Sequence, residues 1–240
     1  MRNIAIFAHV DAGKTTVSEQ LMLHAGAIRN LGKVDEGTAH TDRLEVERRR
    51  GISVQSSGAL FSWKGEDINL IDTPGHSDFS AEVERSLWAP DGAILVISAA
   101  EGVQPQTENL FRALQEARIP TLLFFNKTDR PGASVPAAMQ SFRRLLSKDG
   151  CLLSDKEGLM AALGEYDEQV MEDYLMGEIY PNEKLLPLIR KAMENMQLFP
   201  GLSGSALKDE GIEELLDAIV TLLPAPGGTE KGPLCAVVFA

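Results

Sequence analysis

Four short apolar runs, at residues 4–8, 68–71, 93–98 and 121–125, alternate with helical periodicity at about 14–26, 78–88, 105–117 and 134–147. A strand that reads as an unbroken apolar segment is buried on both faces, the situation of a parallel strand covered by helices. The pattern therefore predicts an α/β fold: a doubly wound, mostly parallel sheet with helices on both faces and right-handed crossovers. Leu60, Phe61 and Trp63 suggest one more strand, joined to 67–71 by a turn at Lys64-Gly65-Glu66. Residues from about 150 to 196, richest in helix formers and acid after 155, read as a small helical insertion, and 212–223 as the final helix. Pro224-Ala225-Pro226-Gly227-Gly228 is breaker-rich. The expected organisation is one domain over 1–224, a linker over 225–232 and a strand-like run over 233–240.

Composition narrows the classes. The 240 residues suffice for one large α/β domain with an ample core, and the two cysteines, Cys151 and Cys235, are too few for a disulfide framework. They suit a reducing cytoplasm. The apolar N-terminus is too short for a signal peptide, and no stretch would span a bilayer. A net charge of −12 argues against charge-driven binding of nucleic acid, DNA in particular, so any RNA contact must be local.

Chemistry concentrates at the ends of the predicted strands. After the first comes Ala8-His9-Val10-Asp11-Ala12-Gly13-Lys14-Thr15-Thr16, opening a helix as a phosphate loop does. Amides from Asp11 to Thr16 would line an anion site, Lys14 would reach the β- and γ-phosphates, and the Thr15 hydroxyl would ligate Mg²⁺. Ala8 stands where the strict pattern has its first glycine. After 68–71 comes Asp72-Thr73-Pro74-Gly75-His76. Asp72 would hold Mg²⁺ through a water, the Gly75 amide would sense the γ-phosphate, and His76 would orient a water for attack. After 121–125 comes Asn126-Lys127-Thr128-Asp129. The Asp129 carboxylate can accept from guanine N1–H and N2–H₂, a pairing adenine does not offer, and the Lys127 stem can cover the purine face. Ser205-Ala206-Leu207 follows the apolar stretch 198–202, where its amides would meet guanine O6.

Together these residues resemble the translational GTPases. The likeness is greatest to the ribosomal protection proteins of tetracycline resistance, then to elongation factor G. It runs through 8–16, 31–32, 34–35, 47–52, 91–99, 102–107, 168–175 and 204–216. Elongation factor G carries an α/β insertion after the guanine-reading strand; here 134–147 passes almost directly into 155–196, which favours the protection type.

The resemblance implies a GTP-binding and GTP-hydrolysing domain that produces GDP, with hydrolysis triggered by the ribosome, whose RNA would lie near His76. It further implies that Ser53, in place of a usual threonine, is a Mg²⁺ ligand with a freer χ1. Val10 and Ile52 form an apolar gate beside His76, Asp11 helps hold a monovalent cation, and Lys14 and Gly75 assist His76 in catalysis. Arg48, Arg49 and Arg50 read better as a solvated run or an RNA-facing patch than as a charge-stabilising finger. Residues 233–240 resemble the first strand of a following β-barrel, so the chain reads as the N-terminal part of a larger, monomeric, cytoplasmic protein. Two alternatives stand beside this reading: an elongation-factor-like translocase, and a regulatory GTP-binding module with little hydrolysis.

Overall fold

The computed structural model describes residues 1–30, 57–73 and 87–225. Within them, β1 (Arg2–Ala8) leads to α1 (Lys14–His24); β2 (Ser57–Trp63), β3 (Glu66–Asp72) and β4 (Gly92–Ser98) precede α2 (Pro105–Glu116). Then come β5 (Thr121–Asn126), α3 (Val135–Leu145) and β6 (Gly150–Leu152), followed by α4 (Lys156–Gly164), α5 (Glu168–Leu175) and α6 (Asn182–Glu194). β7 (Phe199–Ser203) and α7 (Ile212–Leu222) complete the described set.

These seven strands form one sheet in the order β2-β3-β1-β4-β5-β7-β6. All described pairs are parallel except β2 with β3. That hairpin turns through Lys64 (φ 49°) and Gly65 (φ 84°), two positive φ values that match the right-handed twist of the paired strands. β1 and β4 are buried almost throughout, because alternate residues serve opposite cores. Ile4, Ile6, Ile94, Val96, Leu122 and Phe124 pack with α1, α7 and the helices of 156–194. Ala5, Phe7, Leu95, Ile97, Leu123 and Phe125 pack with α2 and α3. In the second core the Phe111 ring stands edge-on to Phe142 and Phe199, with centroids 5.0 and 4.8 Å away.

Two features depart from the sequence expectation. The insertion expected over about 150–196 begins with a strand, β6, before its three helices. The stretch 198–202 supplies β7, which lies between β5 and β6. Its Pro200 and Gly201 disguise a strand, since proline cannot donate to a ladder and glycine offers no side chain. Gly201 packs closely there: an added Cβ would lie 3.0 Å from the Phe125 ring and 3.1 Å from the Met139 methyl, so those side chains would have to give way. The expected helix at 78–88 lies outside the described residues up to 86, as do the residues of the linker and the 233–240 strand beyond 225. Among the described residues no helix is long and apolar enough to cross a membrane.

Candidate functional site

The candidate site gathers at the carboxyl ends of β1, β3 and β5, where an open parallel sheet places its binding crevice. β1 delivers a loop whose backbone doubles back through Asp11 (φ 63°) and Gly13 (φ 93°) before α1 starts. An added Cβ on Gly13 would overlap Asn126 Nδ2, so the left-handed backbone and the close approach both require glycine. Among the described residues no side chain caps α1, and its first turn holds no acidic residue. Its leading N–H groups and positive dipole end are thus left for an anion. Thr15 and Thr16, half-buried, occupy that turn, while Asp11 and Val10 are exposed.

Beneath the loop Lys14 and Asp72 form a buried ion pair, Nζ to Oδ1, at 2.7 Å. Ser18 on the next turn of α1 donates to the same carboxylate oxygen at 3.1 Å. The other oxygen, Asp72 Oδ2, is buried without a hydrogen-bond partner among the described residues. β1 and β3 pair in parallel with Ile6 opposite Asp72, which puts the carboxylate below the phosphate loop. Thr73 locks this crossing by donating to the Ile6 carbonyl at 2.6 Å. An orphaned carboxylate oxygen below a loop that opens into Thr15 suits a small, hard cation that takes oxygen ligands and completes its shell with phosphate and water. The residues fit Mg²⁺. Among the described residues no cluster of three or more His, Cys, Asp or Glu could hold a metal, so protein carboxylates alone do not build the site there.

Asn126 joins the two halves of the site. Its Nδ2 donates to the Ala12 carbonyl at 2.9 Å, and its Oδ1 accepts from the Ala206 amide at 3.0 Å. Lys127, at φ 65°, donates from Nζ to the Asp11 carbonyl. Burial and the neighbouring Arg130 lower its pKa from the usual lysine value. Ser205 Oγ donates to Asp129 Oδ1 at 2.5 Å, and this bond holds the carboxyl below the usual aspartate value. The 205–210 loop is closed on itself by Ser205 N and Glu210 N, each bonding the other residue's carbonyl at 3.0 Å. Leu207 at its tip is 76% exposed. The loop before α1 and the motifs at 126–129 and 205–207, remote in sequence, thus meet within hydrogen-bond distance.

Several contributors were not singled out from sequence. His9 is buried, with Nε2 3.0 Å from Glu101 Oε2 and Nδ1 3.2 Å from Thr107 Oγ1. The Val10 amide donates to Gln106 Oε1 at 3.0 Å, so the start of α2 braces the phosphate loop. The run 102–107 matched the family pattern as a block, but no local spacing announces these contacts. Gln20, deep on α1, bonds the Ala206 carbonyl. Gly75, His76, Ser53 and Ile52, expected to complete the site, lie outside the described residues, as do Arg48, Arg49 and Arg50.

Comparison with known proteins agrees with this arrangement. The family model "Elongation factor Tu GTP binding domain" matches residues 1–225. Tetracycline resistance protein TetW of Butyrivibrio fibrisolvens is 42% identical over 250 residues, covering 99% of this chain and 39% of the relative. Elongation factor G of Petrotoga mobilis is 38% identical over 272 residues, covering 94% of this chain and 39% of the relative. The chain thus spans about two fifths of the length of these proteins. A crystal structure of a Thermus thermophilus protein superimposes with a TM-score of 0.84 at 25% identity, covering 94% of this chain and 40% of that one. A loop that opens α1 and two further motifs gathered at one sheet edge, with a family match over nearly the whole chain, show that this chain belongs to the translational GTPases, in the elongation factor Tu GTP-binding domain family.

Proposed function

We propose that this chain is the GTP-hydrolysing domain of a ribosome-associated protein of the tetracycline-protection type. The observation that carries the nucleotide reading is the Asn126 bridge, which fixes the phosphate loop at Ala12 and the base loop at Ala206 with one side chain. Asp11, Ala12, Gly13, Lys14, Thr15 and Thr16 surround the phosphates. Asn126, Lys127, Asp129, Ser205, Ala206 and Leu207 hold guanine, with Asp129 oriented by Ser205. Thr15, Asp72 and Ser53 would hold Mg²⁺, whose charge offsets that of the phosphate oxygens. Lys14, released from Asp72 as phosphate arrives, would meet the β- and γ-oxygens. Asp11 would help hold a monovalent cation.

His76 would orient the attacking water, Gly75 would sense the γ-phosphate, and Val10 with Ile52 would form the gate beside them. These roles rest on the family pattern. Ribosomal RNA near His76 would complete the site. The protein would act as a cytoplasmic monomer with no membrane or DNA partner.

The protection type is favoured over an elongation-factor-like translocase by the course of the two alignments. The elongation factor G match needs more positions to cover less of this chain, so that relative carries residues without a counterpart here. The short passage from α3, ending at Leu145, to β6, starting at Gly150, supports the reading that no α/β insertion of the elongation factor G kind follows the strand β5 and its helix here.

The test is GTP turnover by the full-length gene product with and without ribosomes. Stimulation by orders of magnitude is expected, and its absence would sink the ribosome reading. His76→Ala should remove about a hundredfold or more of the stimulated rate while GTP affinity changes less than about threefold. An unaffected rate would refute the water-positioning role. Translocation activity without relief of tetracycline inhibition would favour the translocase instead.

A further inference from the structure

We propose that Gln20 is a specificity-positioning residue: from the phosphate-binding helix it sets the loop that reads the sixth position of the purine. The inference rests on the guanine-binding reading of Ser205-Ala206-Leu207. Gln20 is 3% exposed, on the second turn of α1, and its Nε2 donates to the Ala206 carbonyl at 2.8 Å across 186 residues of sequence. The Ala206 amide is held from the other side by Asn126 Oδ1 at 3.0 Å. Both polar backbone groups of Ala206 are therefore fixed by side chains, one from each half of the site. One turn further along the same helix, His24 Nε2 lies 2.7 Å from Asp209 Oδ1, a second attachment of α1 to the same loop. Asp209 has φ 61°, so the loop turns sharply where His24 meets it.

A plain packing role does not account for the glutamine. Its Oε1 is buried with no hydrogen-bond partner among the described residues, a cost that a packed methionine or leucine at the same place would not carry. What the amide supplies is its donor, and the donor is spent on Ala206. The consequence is a coupling between the two ends of the nucleotide. α1 begins at Lys14 in the proposed phosphate loop, and within two turns it holds Ala206, the residue that precedes Leu207 in the loop proposed to meet O6. Asp129, held instead by Ser205, would read the neighbouring N1–H and N2–H₂ groups through a separate bond. Gln20 should therefore govern recognition at O6 and leave recognition at N1 and N2 alone.

Three nucleotides separate these positions of the base in equilibrium titrations of the chain. GTP is the reference; 6-thio-GTP replaces O6 by sulfur but keeps N1–H and N2–H₂; ITP keeps O6 and lacks the N2 amine. Gln20→Met keeps the volume and removes the donor, and Gln20→Glu keeps the shape and sets a carboxylate against the Ala206 carbonyl. With either variant the GTP affinity should fall about tenfold, the loss of roughly one hydrogen bond's contribution. The preference for GTP over 6-thio-GTP should collapse towards one, while the preference for GTP over ITP stays at the wild-type ratio. An unchanged GTP to 6-thio-GTP ratio in a folded variant overturns the proposal. So does a parallel loss of both ratios, which is the mark of general loosening. If Gln20→Met does not fold, Gln20→Glu supplies the same comparison. A wild-type chain that does not prefer GTP to ATP would instead defeat the guanine reading on which the inference stands.

Discussion

Gly13→Ala should act through Asn126, and the magnitude can be worked from the geometry. At φ 93° a residue with a Cβ is strained by about 1–2 kcal/mol. The added methyl would also overlap Asn126 Nδ2, the group that donates to the Ala12 carbonyl at 2.9 Å. Asn126 is 2% exposed and cannot retreat without breaking that bond and the one from the Ala206 amide. Two net hydrogen bonds at about 1 kcal/mol each bring the total to about 3–4 kcal/mol. For a chain of this size that is a fall in melting temperature of roughly 10 °C. The assay is urea unfolding of the nucleotide-free chain in four forms: wild type, Gly13→Ala, Asn126→Ala and the double variant. In the Asn126→Ala background the obstacle is gone, so Gly13→Ala should cost only its backbone strain, about 1–2 kcal/mol. Equal costs of Gly13→Ala in the two backgrounds would refute the argument, because the overlap with Asn126 would then contribute nothing.

Two further outcomes are expected from groups held away from their usual pKa. The Ser205 hydroxyl depresses the Asp129 carboxyl in the folded state, so the stability it confers is present above the unfolded aspartate value, 3.8, and is lost as pH falls through the lower folded value. Ser205→Ala should move the Asp129 midpoint up towards that ordinary value in a carboxyl-carbon NMR titration; an unmoved midpoint would sever the link. Burial, with a smaller contribution from Asp155, pushes the Cys151 thiol up to about 11 from 9.0, which lowers its thiolate fraction about a hundredfold. In a Cys235→Ser background an aromatic disulfide reagent should therefore label the native chain at least about a hundredfold more slowly than the urea-unfolded chain. Comparable rates would mean that Cys151 is not held in the core.

Gln20 and Asn126 show where legibility ended. Asn126 was visible because its motif has fixed spacing directly after a strand. Nothing in that spacing says that its two amide atoms face different loops, at Ala12 and Ala206. Gln20 looks like any polar residue of a helix, and only burial beneath the 205–210 loop gives it a partner. His9, Glu101, Gln106 and Thr107 belong to the same class, since they bond across long stretches of sequence. β7 was hidden for another reason: Pro200 and Gly201 are poor strand formers, and the strand exists because β5 and β6 flank it.

What the sequence determined by itself is local and periodic. Continuous apolar runs of this length, bounded by breakers, read as strands buried on both faces, and Gly-Lys-Thr after such a strand can form the start of a helix that faces an anion. Those facts fix the class of fold, the edge of the sheet where the motifs gather, and the residue types proposed for phosphate, metal and base. Tertiary structure alone decided which of those residues touch. Lys14 closes on Asp72, Asn126 links Ala12 to Ala206, and Ser205 orients Asp129 because parallel strands bring their carboxyl ends to one line. Side-chain hydrogen bonds act over about three ångströms, and a distance that short between remote segments is a property of the folded sheet, with no trace in the order of the residues.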